Sequence, residues 1–186
     1  GRRIMYNRLP VENADTVSLV CALLERFPEL ASIRSLPGDG TVKLTFALRS
    51  KLDRPAQAAL AEVIEDHVGG FLVMGKDEPV TVVVECESDR TLSFVHVTRD
   101  LETFSKEELQ LLVGLFGQRF GDALVRNAIP DERADEDPAV GDEIALYAIE
   151  ALRDPTQSKS LVGFREEKRV LVYFLKAKKA KAPGRR

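Results

Sequence analysis

The chain has 186 residues, enough for one domain or one domain with an appendage. No stretch approaches the ~20 consecutive apolar residues that a membrane helix needs. Its net charge of −3 argues against nucleic-acid binding by the body as a whole, and its two cysteines are too few for a disulfide framework, pointing instead to a reducing cytoplasm.

No secretory pattern stands behind Gly1-Arg2-Arg3, and a first residue of Gly fits a processed chain or a piece of a longer one. Residues 1–12 are basic and broken by Pro10, which predicts an extended arm. A helix capped by Asn13 or Asp15 runs to about Phe27, with Val17, Val20, Leu24 and Phe27 on one face. Ser32–Leu36 and Thr41–Leu48 then flank Pro37-Gly38-Asp39-Gly40, a hairpin whose second strand points Val42, Leu44, Phe46 and Leu48 inward and Lys43 and Thr45 outward. Asp53-Arg54-Pro55 opens the next helix. Its stripe is Leu60, Val63, Ile64, His67 and Val68, and Gly69-Gly70 are expected to stop it.

The best-specified stretch is Val80 to Gly121. Two β-branched runs, Val80–Glu87 and Leu92–Val97, meet at the polar corner Ser88-Asp89-Arg90-Thr91 and read as a second hairpin. The helix that follows starts with a capping box, Ser105 with Glu108, and a hydrophobic staple, Phe104 with Leu109. Leu109, Leu112, Val113, Phe116 and Phe120 make its inner stripe. Leu111 and Leu115 widen that stripe beyond one core face, so the helix is either covered on two sides or offers these leucines to a partner. A faint internal similarity sets Thr41–Gly69 against Thr91–Gly121.

The remainder is segregated by charge. Residues 127–143 read as an acidic linker, with Asp131, Glu132, Asp135, Glu136, Asp137, Asp142 and Glu143 against Arg133. Residues 144–175 hold a short helix (Ile144, Tyr147, Ala148, Ala151 and Leu152 on one face) and a hairpin around Glu166-Glu167, expected to pack on the core or on a neighbouring subunit. Residues 176–186 form a basic tail, with Lys176, Lys178, Lys179, Lys181, Arg185 and Arg186 and no acid.

The predicted class is α+β, a two-layer sandwich of antiparallel sheet and helices. From Thr41 the element order is βαββαβ, the ferredoxin-like order, with an added N-terminal helix and strand and a C-terminal helix and hairpin. The core domain is 13–126.

Chemistry is thinly marked. No phosphate-binding glycine motif, nucleophile elbow, zinc spacing or calcium loop is present, and no catalytic residue, metal or cofactor is assigned. His67 reads as a packed helix histidine. Glu85, Phe94 and His96 fall on one face of the second hairpin, a candidate ligand or nucleobase surface. Cys86 falls opposite Ser93 on the other face, which disfavours a Cys–His pair. The leading expectation is a non-enzymatic cytoplasmic interaction or assembly module that binds a protein partner or a second copy of itself through Leu111 and Leu115. The alternatives are an RNA- or ribosome-associated factor using the basic tail, and a ligand-binding domain or enzyme using Glu85, Phe94 and His96.

Overall fold

The computed structural model describes residues 13–79, 81–127 and 138–176. Among them the chain forms helix α1 (Asn13–Arg26), strands β1 (Ser32–Leu36) and β2 (Thr41–Leu48), helix α2 (Arg54–Met74), strands β3 (Val82–Asp89) and β4 (Leu92–Asp100), helix α3 (Lys106–Phe120), a 3-10 turn (Gly121–Ala123), helix α4 (Pro138–Arg153), and strands β5 (Leu161–Glu166) and β6 (Arg169–Phe174). The fold is α+β: these helices accompany one antiparallel sheet in the order β3-β4-β2-β1-β5-β6. The basic arm, residues 128–137 of the acidic linker, and the tail beyond Lys176 lie outside the described residues.

Alternation along β2 organises the sheet. Val42, Leu44, Phe46 and Leu48 are all fully buried, in one cluster with Val95 and Val97 of β4, Ile33 of β1 and Leu161 of β5. That cluster also takes Val20, Leu23 and Leu24 of α1, Leu60, Ile64, Val68 and Leu72 of α2, Leu109, Leu112 and Phe116 of α3, and Ala145, Ala148 and Ile149 of α4. All four helices therefore pack on the same sheet face, and burial of this apolar surface is the main drive for the fold. Gly163 of β5 sits where α1 crosses closest: a Cβ there would lie 2.8 Å from Leu24 Cδ1 and 3.2 Å from both Ile33 and Val172.

The split order is visible in part. α2 connects β2 to β3, and β4 lies between them, antiparallel to both. The place on the other side of β2, where a fourth strand of a βαββαβ unit would sit, is taken by β1, and β5 joins outside β1. The reason is local. The loop Pro37–Gly40 is short, with Gly40 at φ +64 and Asp39 N donating to Leu36 O at 3.0 Å. So short a connection favours the pairing of β1 with β2 over a longer crossover.

Several boundaries move once packing is known. α2 does not stop at Gly69-Gly70 but runs four residues further to Met74. Leu72 continues the buried i, i+4 row of Leu60, Ile64 and Val68, and that burial outweighs the roughly 1 kcal/mol each helical glycine costs. His67 is consequently in mid-helix and exposed, its Nδ1 2.7 Å from Val63 O, rather than packed near a helix end. The expected linker also ends early, because α4 begins at Pro138 and takes in Asp142 and Glu143. Its buried row is Ala145, Ala148, Ile149 and Leu152, which leaves Tyr147 of the expected face half exposed. The internal similarity fails on parity: it would set core-facing Leu44 and Phe46 against Phe94 and His96, which point away from the core.

The C-terminal unit is tied to the body by arginines. Arg165 of β5 donates from Nε to Leu30 O at 2.9 Å and from Nη2 to Leu24 O and Phe27 O, satisfying carbonyls at and beyond the end of α1. Arg153, at the end of α4, donates to Leu101 O at 2.7 Å and Phe104 O at 2.6 Å.

The β3–β4 and β5–β6 hairpins close through two-residue turns, Arg90-Thr91 and Glu167-Lys168, whose first residues both have φ +54. That position favours glycine. Arg90→Gly and Glu167→Gly should each stabilise the protein by about 1 kcal/mol, read as a higher urea midpoint at unchanged slope.

Candidate functional site

Two polar clusters flank β4, one on each side. The first lies on the helix-covered face. Ser93, Val95, Val97 and Arg99 alternate toward the core, so Arg99 is fully buried. It donates from Nε to Glu108 Oε2 at 2.7 Å and from Nη2 to Glu108 Oε1 at 2.8 Å, a bidentate pair with a carboxylate that is also fully buried. Nη1 donates to Thr81 O at 2.8 Å and to Asp100, and Nη2 also donates to Thr103 Oγ1 at 2.9 Å. All five guanidinium protons thus have acceptors. Asp100 in turn accepts from Thr81 N at 3.0 Å and from the Thr103 hydroxyl at 2.6 Å.

This cluster was missed at sequence level, although a charged residue at an inward position of an alternating strand marked it. It also corrects the capping box. Ser105 Oγ accepts from Glu108 N at 3.2 Å as expected, but the Glu108 carboxylate turns inward to Arg99 instead of back to the cap. With Arg99 and Glu108 both fully buried and every guanidinium proton on an acceptor, the cluster locks β4 to the start of α3.

The second cluster faces away from the helices. The register places Glu85 opposite His96 and Glu87 opposite Phe94, and Thr45 of β2 lies opposite His96 on the other side. Glu85, Phe94 and His96 therefore share this face. The turn is at Arg90-Thr91, so Cys86 pairs with Val95 rather than with the expected Ser93. A shift of two in register leaves every side chain on its face. His96 Nδ1 is 2.8 Å from Thr45 Oγ1, and Nε2 points toward Glu87 Oε1 at 3.3 Å without the alignment of a hydrogen bond. Thr45 and Glu87 had not been singled out from sequence; alternation on the neighbouring strands was the available signal.

The imidazole is thus held between a hydroxyl and an exposed carboxylate, with half-buried Phe94 beside it. Cys86 is on the opposite face, and burial pushes its thiol up. Burial, then Glu25, pushes up the Cys21 thiol as well, so neither cysteine is activated as a nucleophile. Both are unbridged. Among the described residues no group of three His, Cys, Asp or Glu converges to hold a metal ion, and no helix is long and apolar enough to cross a membrane.

The remaining candidates are scattered. Leu115 is half buried against the core cluster, while Leu111 is half buried outside it, so of the two leucines only Leu111 is unused by the core. Of the basic tail, Lys176 is described and exposed; Lys178, Lys179, Lys181, Arg185 and Arg186 lie outside the described residues. No family model matches the chain, and neither a curated protein nor a solved structure matches it.

Proposed function

We propose that the protein is a non-catalytic binding module that presents the sheet face around Phe94 and His96 to another macromolecule. The observation that supports this reading is the convergence of Glu85, Phe94, His96 and Thr45 on the face opposite all four helices. An antiparallel sheet with one helix-covered face normally turns a plain polar surface to water. Here that surface carries a fixed imidazole and an aromatic ring instead. The polar cluster best suited by composition to acid–base work, Arg99 with Glu108 and Asp100, is spent on structure. The architecture proposed for the module is a two-layer, ferredoxin-like split unit in which β1 takes the place of the fourth strand and β5 and β6 widen the sheet. A cytoplasmic setting suits its two unbridged thiols.

A second reading, self-association through α3, rests on Leu111, the one leucine of the pair outside the core cluster. Recovery of the tagged chain from its native lysate, at low and high salt and with protein and nucleic acid both analysed, separates the two. A macromolecule lost with Phe94→Asp or His96→Ala and retained with Leu111→Glu is the expected result. The reverse pattern, with the wild type running above ~21 kDa in light scattering and Leu111→Glu at the monomer mass, would move the interface to α3.

A further inference from the structure

Arg34 of β1 and Lys43 of β2 are directly opposed across the strand pair, on the sheet face away from the helices. Cations in that relation, about 5 Å apart at Cβ, destabilise an antiparallel pair. Among the described residues neither makes an ion pair. Continuing the same row outward from Arg34, the register passes through Val162 of β5 to Tyr173 of β6. Tyr173 is 46 % exposed and meets Phe164, on the same face, edge to face with ring centroids 6.0 Å apart. The exposed acids of this face lie elsewhere: Glu85, Glu87 and Asp89 on edge strand β3, and Glu166 beside Arg169 at the β5–β6 turn; Asp100, opposite Thr41, is buried and bonded to Arg99 and Thr103.

We infer that the half of the face formed by β1, β2, β5 and β6 takes single-stranded nucleic acid. This rests on reading the sheet face as the binding surface. Arg34 and Lys43 each take one of two successive phosphates, whose negative charges relieve the mutual repulsion of the pair. Tyr173 and Phe164 supply ring surface for bases, which stack on aromatics irrespective of sequence. An acidic peptide would answer the charge but leave the rings unused. The acids of β3 repel phosphate from the opposite edge and so confine the strand to this half. Two cations give modest, sequence-tolerant binding.

The test is fluorescence anisotropy of a short fluorescein-labelled oligouridylate titrated with the full chain from roughly 50 to 200 mM salt. Two neutralised phosphates account for a salt slope of about −1.4, a roughly sevenfold loss of affinity over that range, added to whatever the tail contributes. Arg34→Gln with Lys43→Gln should weaken binding and flatten the slope by about that amount. Tyr173→Ala should weaken it by about tenfold with the slope unchanged, and Tyr147→Ala, on α4, should leave it alone. Circular dichroism checks that each variant is folded, which removal of an opposed charge favours. Binding that is indifferent to Arg34, Lys43 and Tyr173 would overturn the inference and move it to the basic tail. A wild type that ignores the oligonucleotide, yet loses a lysate protein with Phe94→Asp, would overturn the inference while sparing the sheet-face reading.

Discussion

Glu108→Ala should destabilise the protein by about 3–5 kcal/mol, because it leaves the fully buried Arg99 guanidinium without its bidentate partner. Asp100 keeps one contact with Arg99, which places the expected value toward the lower end. Urea denaturation at neutral pH reads it as a shift in midpoint at constant slope. Replacing both partners, Arg99→Met with Glu108→Leu, should recover most of the loss, since a buried pair exchanged for apolar side chains of similar volume is often neutral or better. A double variant as unstable as Glu108→Ala would show that the network is needed as such.

The acid limb of stability isolates Asp100. Burial pushes its carboxyl up, but hydrogen bonds from Thr103 and from Thr81 N–H, with the charge of Arg99, outweigh burial and hold it below the usual 3.8. A carboxylate lowered in the folded state stabilises above its unfolded value and loses that stabilisation as pH falls through the folded value. The advantage of wild type over Asp100→Asn should therefore be constant near neutral pH and shrink below about 3.8. Glu108 has the opposite sign. Burial pushes it up against the pull of Arg99.

Phe116→Ala is expected to cost about 3–5 kcal/mol as well, for a different reason. Its ring stacks on Phe46 with centroids 3.9 Å apart and planes 7° from parallel, and both are fully buried between α3 and the middle of the sheet. Truncation opens a cavity that two rigid layers cannot close. For a chain of this size the loss corresponds to a fall in Tm of roughly 6–20 °C by calorimetry. Leu111→Glu, on the same helix but outside the core cluster, should stay within ±0.5 kcal/mol of wild type. If instead the two variants were equally damaging, α3 would be covered on both sides in solution.

These contrasts mark where sequence reasoning reached and where it stopped. β1 and β2 fall on the residues expected, Ser32–Leu36 and Thr41–Leu48, because strict alternation and the Pro37–Gly40 turn act within a few residues. The N-cap of α3 is likewise local, with Ser105 capping and Phe104 and Leu109 buried around it. The end of α2 was not legible, since Gly69-Gly70 is a stop by propensity and only the seat of Leu72 in the core overrides it. Nor was the destination of Glu108, because the cap and Arg99 compete for one carboxylate and only the approach of β4 to α3 decides between them.

The sequence by itself determined which faces exist. Parity along β3 and β4, with a two-residue turn between them, put Glu85, Phe94 and His96 together and Cys86 apart from His96. Only the tertiary structure decided which strands are neighbours, because that choice is made between segments far apart in the chain. It seated β1 beside β2, in the place where a fourth βαββαβ strand was expected, and β5 outside β1. In doing so it opposed Arg34 to Lys43 and brought Tyr173 into their row. Side-chain alternation is fixed by backbone geometry within one strand, whereas strand order is fixed by which long-range contacts repay the entropy of closing their loops.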